Sequence, residues 1–272
     1  MEYVKKAIEK ARQDREKNLA EGAVEGGEAD ESAPPPVKPE LSNDDAISID
    51  YSQTRTVSLN TRVLVENRVV AAFDSDERAE PYRQLRTQVL KKLRDNNWRT
   101  LAITSAQQGA GKTLTAVNLA IALAKEVNQT VLLVDMDFKA PSISDVLGLE
   151  AEQGLVEYLK GEASLPDILV NPGLDRLTVL PALAVAGVTS ELLSSPRMKS
   201  MLDEIVNRYT DRFIIFDLPP LLRDDDALVF TPYVDTTLLV VESGATTPKE
   251  MERCVQLLEG TNIMGTILNK AS

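Results

Sequence analysis

Apolar and polar positions follow two rhythms along this chain. Six short apolar runs are nearly continuous: Thr100–Thr104, Thr130–Val134, Leu177–Leu180, Phe213–Phe216, Thr237–Val241 and Ile263–Leu268. Runs of that length read as buried strands. Segments with helical spacing lie near 112–126, 154–160, 189–208, 225–230 and 247–259. Ahead of the first run, Tyr82, Leu85, Val89 and Leu93 line one side of a helix from Glu80 or Pro81 to about Asn96. Pro81 suits its first turn. Strands alternating with helices predict an α/β fold, a three-layer αβα sandwich around a mostly parallel sheet, over residues 76–272.

The rhythm weakens upstream. Val4, Ala7, Ile8 and Ala11 fall at helical spacing, which predicts a short amphipathic helix over residues 1–20. That helix is either a solvated element or a docking element. Residues 21–75 read as a flexible linker. Gly22, Gly26 and Gly27 precede acidic residues, then Pro34-Pro35-Pro36 and Pro39. Such a stretch buries too little apolar surface to offset its ordering entropy, so disorder is expected to about residue 60. Val63–Val70 is expected to add a short extended piece.

Composition removes several chemistries. None of the 272 residues is histidine, so no Ser-His-Asp triad or histidine proton shuttle can form within the chain. A general base must be a carboxylate or, failing that, Lys or Tyr. Cys254 is the one cysteine, which excludes an intrachain disulfide and fits a reducing compartment. Its ordinary reading is a half-buried apolar residue on a helix. The formal net charge of -12 argues against nucleic acid as a partner. Charges interrupt every apolar stretch well before a membrane span, so a soluble chain able to dock on a membrane partner is expected.

The strongest chemical signal is Ser105-Ala106-Gln107-Gln108-Gly109-Ala110-Gly111-Lys112-Thr113. It follows a strand and opens a helix, as a phosphate-binding P-loop must. Gly109 and Gly111 let the backbone curl its N–H groups toward phosphate oxygens. Lys112 reaches the outer phosphates and Thr113 offers a hydroxyl to Mg2+. A plain strand–turn–helix junction has no need of Lys112-Thr113. Two further strands end in acid: Val131–Val134 in Asp135-Met136-Asp137, and Phe213–Phe216 in Asp217-Leu218-Pro219-Pro220. The carboxyl ends of parallel strands line the ligand crevice. Asp135, Asp137 and Asp217 are therefore expected near Lys112 and Thr113, where carboxylates hold a Mg2+ shell or take a proton from a nucleophile.

Together these residues resemble the bacterial tyrosine kinases (BY-kinases) of capsule and exopolysaccharide synthesis, within the MinD/ParA-like deviant-Walker class. The resemblance runs from about Glu80 to Lys270. It rests on Glu80-x-x-Arg83-x-x-Arg86, the P-loop, Asp135-Met136-Asp137-Phe138-Lys139-Ala140-Pro141, Gly148-Leu149, Gly154–Leu159, Asp217–Pro220 and Leu268-Asn269-Lys270. Ala7–Arg12 is similar to forms linked to exosortase gene clusters. The resemblance implies an ATP-dependent protein-tyrosine kinase using ATP and Mg2+. Gly109, Ala110, Gly111, Lys112, Thr113 and Leu114 would hold the phosphates, and Asn269 would face the adenine. Thr113, Asp137 and Asp217 would serve Mg2+, and Asp135 would activate the acceptor hydroxyl beside Lys112. It also implies a ring-like homo-oligomer through Glu80, Arg83 and Arg86. The partner would be the cytoplasmic segment of a membrane polysaccharide co-polymerase, placing a cytoplasmic protein peripherally at the inner membrane.

The sequence departs from the family at marked places. Gln107 stands where MinD/ParA proteins carry a signature lysine, Lys139 where the family usually has arginine, and Ala106 where the first P-loop glycine would be. Family autokinases end in a tyrosine cluster, whereas the last tyrosine here is Tyr233. Among Tyr3, Tyr51, Tyr82, Tyr158, Tyr209 and Tyr233, exposure favours Tyr51 as an in-chain acceptor. The alternative is a MinD-like ATPase switch or assembly factor without tyrosine transfer.

Overall fold

The computed structural model describes residues 54–271 apart from Val127, Val188, Tyr209 and Thr210. The expected N-terminal helix, the linker up to residue 53, and Tyr3, Tyr51 and Tyr209 lie outside the described residues.

The strands are β1 (Arg55–Thr56), β2 (Thr100–Ser105), β3 (Thr130–Asp135), β4 (Val170–Asn171), β5 (Leu177–Leu180), β6 (Arg212–Asp217), β7 (Thr236–Glu242) and β8 (Ile263–Asn269). They form one sheet in the order β1-β4-β5-β3-β6-β2-β7-β8. Every pairing is parallel except β4 against β5. The register brings the chemistry together: Asp217 on β6 sits opposite Asp135 on β3 and opposite Ile103 on β2. The loop after β2 therefore emerges at the same edge as both acidic strand ends.

The helices are α1 (Thr61–Glu66), α2 (Glu80–Asp95), α3 (Lys112–Ala124), α4 (Ile143–Leu147), α5 (Leu155–Lys160), α6 (Leu165–Ile168), α7 (Ser190–Leu193), α8 (Pro196–Asn207), α9 (Asp226–Phe230) and α10 (Pro248–Leu257). Successive strand residues point to opposite faces. Leu101, Ile103, Val131 and Leu133 pack with α2, α3 and α4. Ala102, Leu132, Val134, Ile214 and Phe216 pack with α5, α8 and α9. This is the expected three-layer αβα architecture. Helix α3 is buried along almost its whole length because it lies under the sheet, α2 and the upstream segment. Truncating Leu119 or Leu123, both fully buried, costs about 2–5 kcal/mol.

Two boundaries differ from the sequence reading. The folded body starts before residue 76: β1, α1 and a 3-10 turn at Val70–Ala72 are part of it, with Leu64, Val69, Val70 and Ala71 buried. The stretch expected to be extended at Val63–Val70 holds the helix α1, capped by Asn60, whose side chain accepts from Arg62 N. Composition failed there because tertiary packing on α3, rather than local hydrophobic density, orders the segment. The helix expected over 189–208 is two helices. Ser195 caps the second and Pro196 begins it, since proline cannot continue the first.

Candidate functional site

The loop between β2 and α3 is shaped by two glycines with positive φ, +90° at Gly109 and +92° at Gly111. A Cβ added at Gly111 would stand 2.1 Å from Asn269 Nδ2, so only glycine fits that approach. Ala106 has no such φ and is buried, so its backbone does not require glycine there. Ala110 O accepts from Asn269 Nδ2 at 2.8 Å, so the end of β8 is tied to the loop. Leu114 lies on the first turn of α3, and its carbonyl accepts from Asn118 Nδ2 at 3.0 Å.

Around that loop the expected acids converge. Lys112 Nζ lies 3.0 Å from Asp137 Oδ2 and 3.6 Å from Asp217 Oδ2. Thr113 Oγ1 donates to Asp217 Oδ2 at 2.6 Å. Asp135 Oδ2 accepts from Ser142 N at 2.9 Å and Ile143 N at 3.0 Å, and its Oδ1 accepts from Asp137 N at 3.2 Å. All five side chains are buried. Burial pushes the Asp135 carboxyl up to about 7, with the Asp217 charge adding to it. Burial also raises Asp217, against the pull of Lys112 and Thr113. Burial alone would lower the Lys112 ammonium, but Asp217 and Asp137 outweigh it and leave it raised. The lysine is therefore charged and the carboxylates compete for it.

The donor set fits a magnesium nucleotide. Asp217 Oδ1 is buried without a hydrogen-bond partner, a cost that a ligand or its water relieves. The glycine-shaped loop ends at the N-terminus of α3, where backbone N–H groups favour anions. Among the described residues no three His, Cys, Asp or Glu side chains are spaced to grip a metal alone.

Lys139 serves a contact that sequence reasoning missed. Its Nζ lies 2.9 Å from Asp224 Oδ2 and 3.3 Å from Asp226 Oδ2. One compact ammonium bridges two separate carboxylates, a task that needs no planar guanidinium fork. The pair joins the loop after Asp137 to the loop after Asp217. A run of three aspartates beyond Pro220 was the available signal. Gln107, at the signature-lysine position, donates to Glu250 Oε1 at 3.1 Å.

The Glu80/Arg83/Arg86 set is not brought to this site. Arg83 Nε donates to Glu80 Oε2 at 2.7 Å on the exposed side of α2. Arg86 Nε lies 3.1 Å from Glu126 Oε1, an ion pair by distance that is not aligned as a hydrogen bond. Arg86 therefore fastens α2 to the end of α3. Among the described residues no helix is long and apolar enough to cross a membrane.

An AAA-domain family model matches residues 98–244. The chain is 34% identical over 197 residues to the tyrosine-protein kinase Etk of Escherichia coli K12, covering 72% of this chain and 27% of Etk. It is 32% identical over 193 residues to the tyrosine-protein kinase YwqD of Bacillus subtilis, covering 70% of this chain and 80% of YwqD. The succinoglycan biosynthesis transport protein ExoP of Rhizobium meliloti is 32% identical over 210 residues, covering 75% of this chain and 26% of ExoP. The chain thus spans about a quarter of the length of Etk and ExoP. Among solved structures, the kinase domain of E. coli ETK is similar with TM-score 0.66 and 32% identity, covering 73% of this chain and 79% of that one. MinD from Pyrococcus horikoshii, complexed with Mg-ADP, is similar with TM-score 0.52 and 25% identity, covering 62% of this chain and 69% of that one.

Proposed function

This chain belongs to the bacterial tyrosine kinase family, and from that premise we propose that it is an ATP-dependent protein-tyrosine kinase acting in exopolysaccharide or capsule synthesis. The observation that carries the reading is the convergence of Lys112, Thr113, Asp137 and Asp217 on one glycine-shaped loop, with Asp135 beside them.

Each residue has a role its position supports. Gly109, Ala110, Gly111 and Leu114 supply backbone to the phosphates, and Lys112 turns from the carboxylates to the outer phosphate oxygens. Thr113, Asp137 and Asp217 would hold Mg2+. Bound Mg2+ supplies neutralisation of the charge on the transferring phosphoryl group. Asp135, with its raised proton affinity, takes the proton of the acceptor hydroxyl. Asn269 carries the adenine edge of the site, next to the loop it already touches. Catalysis is then positioning plus electrostatic stabilisation, with Lys112 the group that has to reorient.

The partners follow as part of the same proposal. The exposed Glu80 and Arg83 on α2 offer a face to a second copy in a ring-like oligomer, with Arg86 keeping that helix on its own body. The name of ExoP supports placement in polysaccharide export. The partner would be the cytoplasmic segment of a membrane polysaccharide co-polymerase, which holds a cytoplasmic protein peripherally at the inner membrane.

Incubation with γ-labelled ATP and Mg2+, with and without such a segment, tests the reading. Label on tyrosine that disappears in Lys112→Met supports it. Phosphate release with no labelled protein overturns it in favour of an ATPase switch.

A further inference from the structure

Helix α4 is five residues long and is held at both ends. At its start, Ser142 N and Ile143 N donate to Asp135 Oδ2. At its end, the Asn67 amide Nδ2 donates to Asp145 O at 2.9 Å and to Val146 O at 3.0 Å. The last carbonyls of a helix have no partner within it. Here Asp145 O, which also accepts from Gly148 N at 3.2 Å, and Val146 O both accept from a side chain 78 and 79 residues earlier in the chain. Gly148 ends the helix at φ +68°, and a Cβ there would stand 2.9 Å from Val63 Cγ1, so α1 abuts the same end. Ile143 and Leu147 are fully buried between the two grips.

The upstream segment is itself fixed to the phosphate-loop helix. Ala71 N donates to Asn118 Oδ1 at 2.9 Å, and Asn118 Nδ2 reaches Arg68 O at 3.3 Å and Leu114 O at 3.0 Å. Asn118 lies on α3, the helix that Lys112 opens. Asn67 thus stands on a frame rigid with the phosphate loop and pins the far end of a peg about 7.5 Å long. The near end of that peg supplies two of the three N–H groups that hold the Asp135 carboxylate, Asp137 N supplying the third.

We propose that Asn67 is a positioning residue for Asp135, acting through α4. The proposal rests on the kinase reading above for the role of Asp135, but its structural half stands on the contacts alone. The Asn67 side chain is only part-buried and fills no core cavity, so its removal acts on geometry more than on folding. Loss of its two hydrogen bonds frees α4 to shift, and Asp135 loses its aim while the phosphate loop keeps its shape.

The test uses the full chain with Asn67→Ala, Asn67→Gln and Arg62→Ala. Arg62 makes an exposed ion pair with Glu66 on α1 and does not touch α4. Phosphoryl transfer from Mg·ATP to a Glu/Tyr copolymer gives kcat and the KM for ATP. Hydrogen exchange reads the Ser142 and Ile143 amides directly. Asn67→Ala should lower kcat about tenfold, the scale of a small misplacement, with KM for ATP unchanged and both amides exchanging faster. Asn67→Gln, which keeps the donor, should recover part of each change, and Arg62→Ala should alter neither. Unchanged exchange at Ser142 and Ile143 in Asn67→Ala overturns the proposal, as does a kcat that holds or a KM that carries the whole effect. If the wild-type chain transfers no phosphate to tyrosine, the kinase reading falls, and the exchange result still decides whether Asn67 positions Asp135.

Discussion

Lys112 Nζ and Asp137 Oδ2 stand 3.0 Å apart, in a pair almost closed to solvent. With Asp217 at 3.6 Å, this lysine is the cation facing two buried carboxylates. Removing one partner of a buried pair leaves the other charge uncompensated, which costs roughly 3–5 kcal/mol. Lys112→Met should therefore lower the unfolding free energy of the nucleotide-free protein by about that amount, besides weakening ATP binding. Urea unfolding checks it, and unchanged stability would show that the pair is not formed in solution.

Asp135 gives the apo protein a pH signature. Burial pushes its folded pKa up to about 7, well above the usual carboxylate range, so the native state holds the proton that the unfolded chain has released. A raised folded pKa makes its contribution complete below about pH 4, and that contribution is lost as pH rises toward 7. Asp217, raised by burial, acts in the same direction. The stability of wild type relative to Asp135→Asn should fall between pH 4 and pH 7 by on the order of 2–4 kcal/mol. A difference independent of pH would mean that Asp135 titrates normally.

Gly111 bears both a positive φ and a contact that admits no side chain. Gly111→Ala should cost about 1–3 kcal/mol from the backbone alone, plus displacement of Asn269. Pairing it with Asn269→Ala should recover the contact part and leave the backbone part. Mg·ATP titration and thermal melts of the four proteins measure the two shares. Full recovery in the double variant would remove φ from the explanation.

Cys254 is fully buried on α10, and burial pushes its thiol up to about 11, with Glu250 adding to the shift. A thiol reagent at pH 8 should therefore label it only as fast as the protein opens. Labelling in denaturant should be complete within the mixing time of the same assay. Rapid labelling of the native chain would contradict the packing of α10.

The candidate site was readable because its parts are local. The strand, glycine loop and Lys112-Thr113 are contiguous, and each acidic strand end follows its own apolar run. Two-residue strands such as β1 and β4 carry no periodicity at all. The grip of Lys139 on Asp224 and Asp226 spans 85 residues for the first of them, so no spacing announces it. Segment 54–75 escapes a composition reading for a related reason. Its order comes from Asn118, Val69 and the face of α3, and a composition window around residue 65 sees none of these.

In the proposed mechanism Asp135 takes the acceptor proton, while Lys112, Thr113, Asp137 and Asp217 would hold Mg·ATP. Single-turnover transfer to a Glu/Tyr copolymer by Asp135→Asn, with Mg·ATP affinity measured in parallel, tests it most directly. Transfer should slow by about 10²–10⁴-fold, the usual worth of a positioned base, while the Kd for Mg·ATP should change by less than about threefold. Transfer at the wild-type rate, or a loss explained by weaker nucleotide binding, would contradict it.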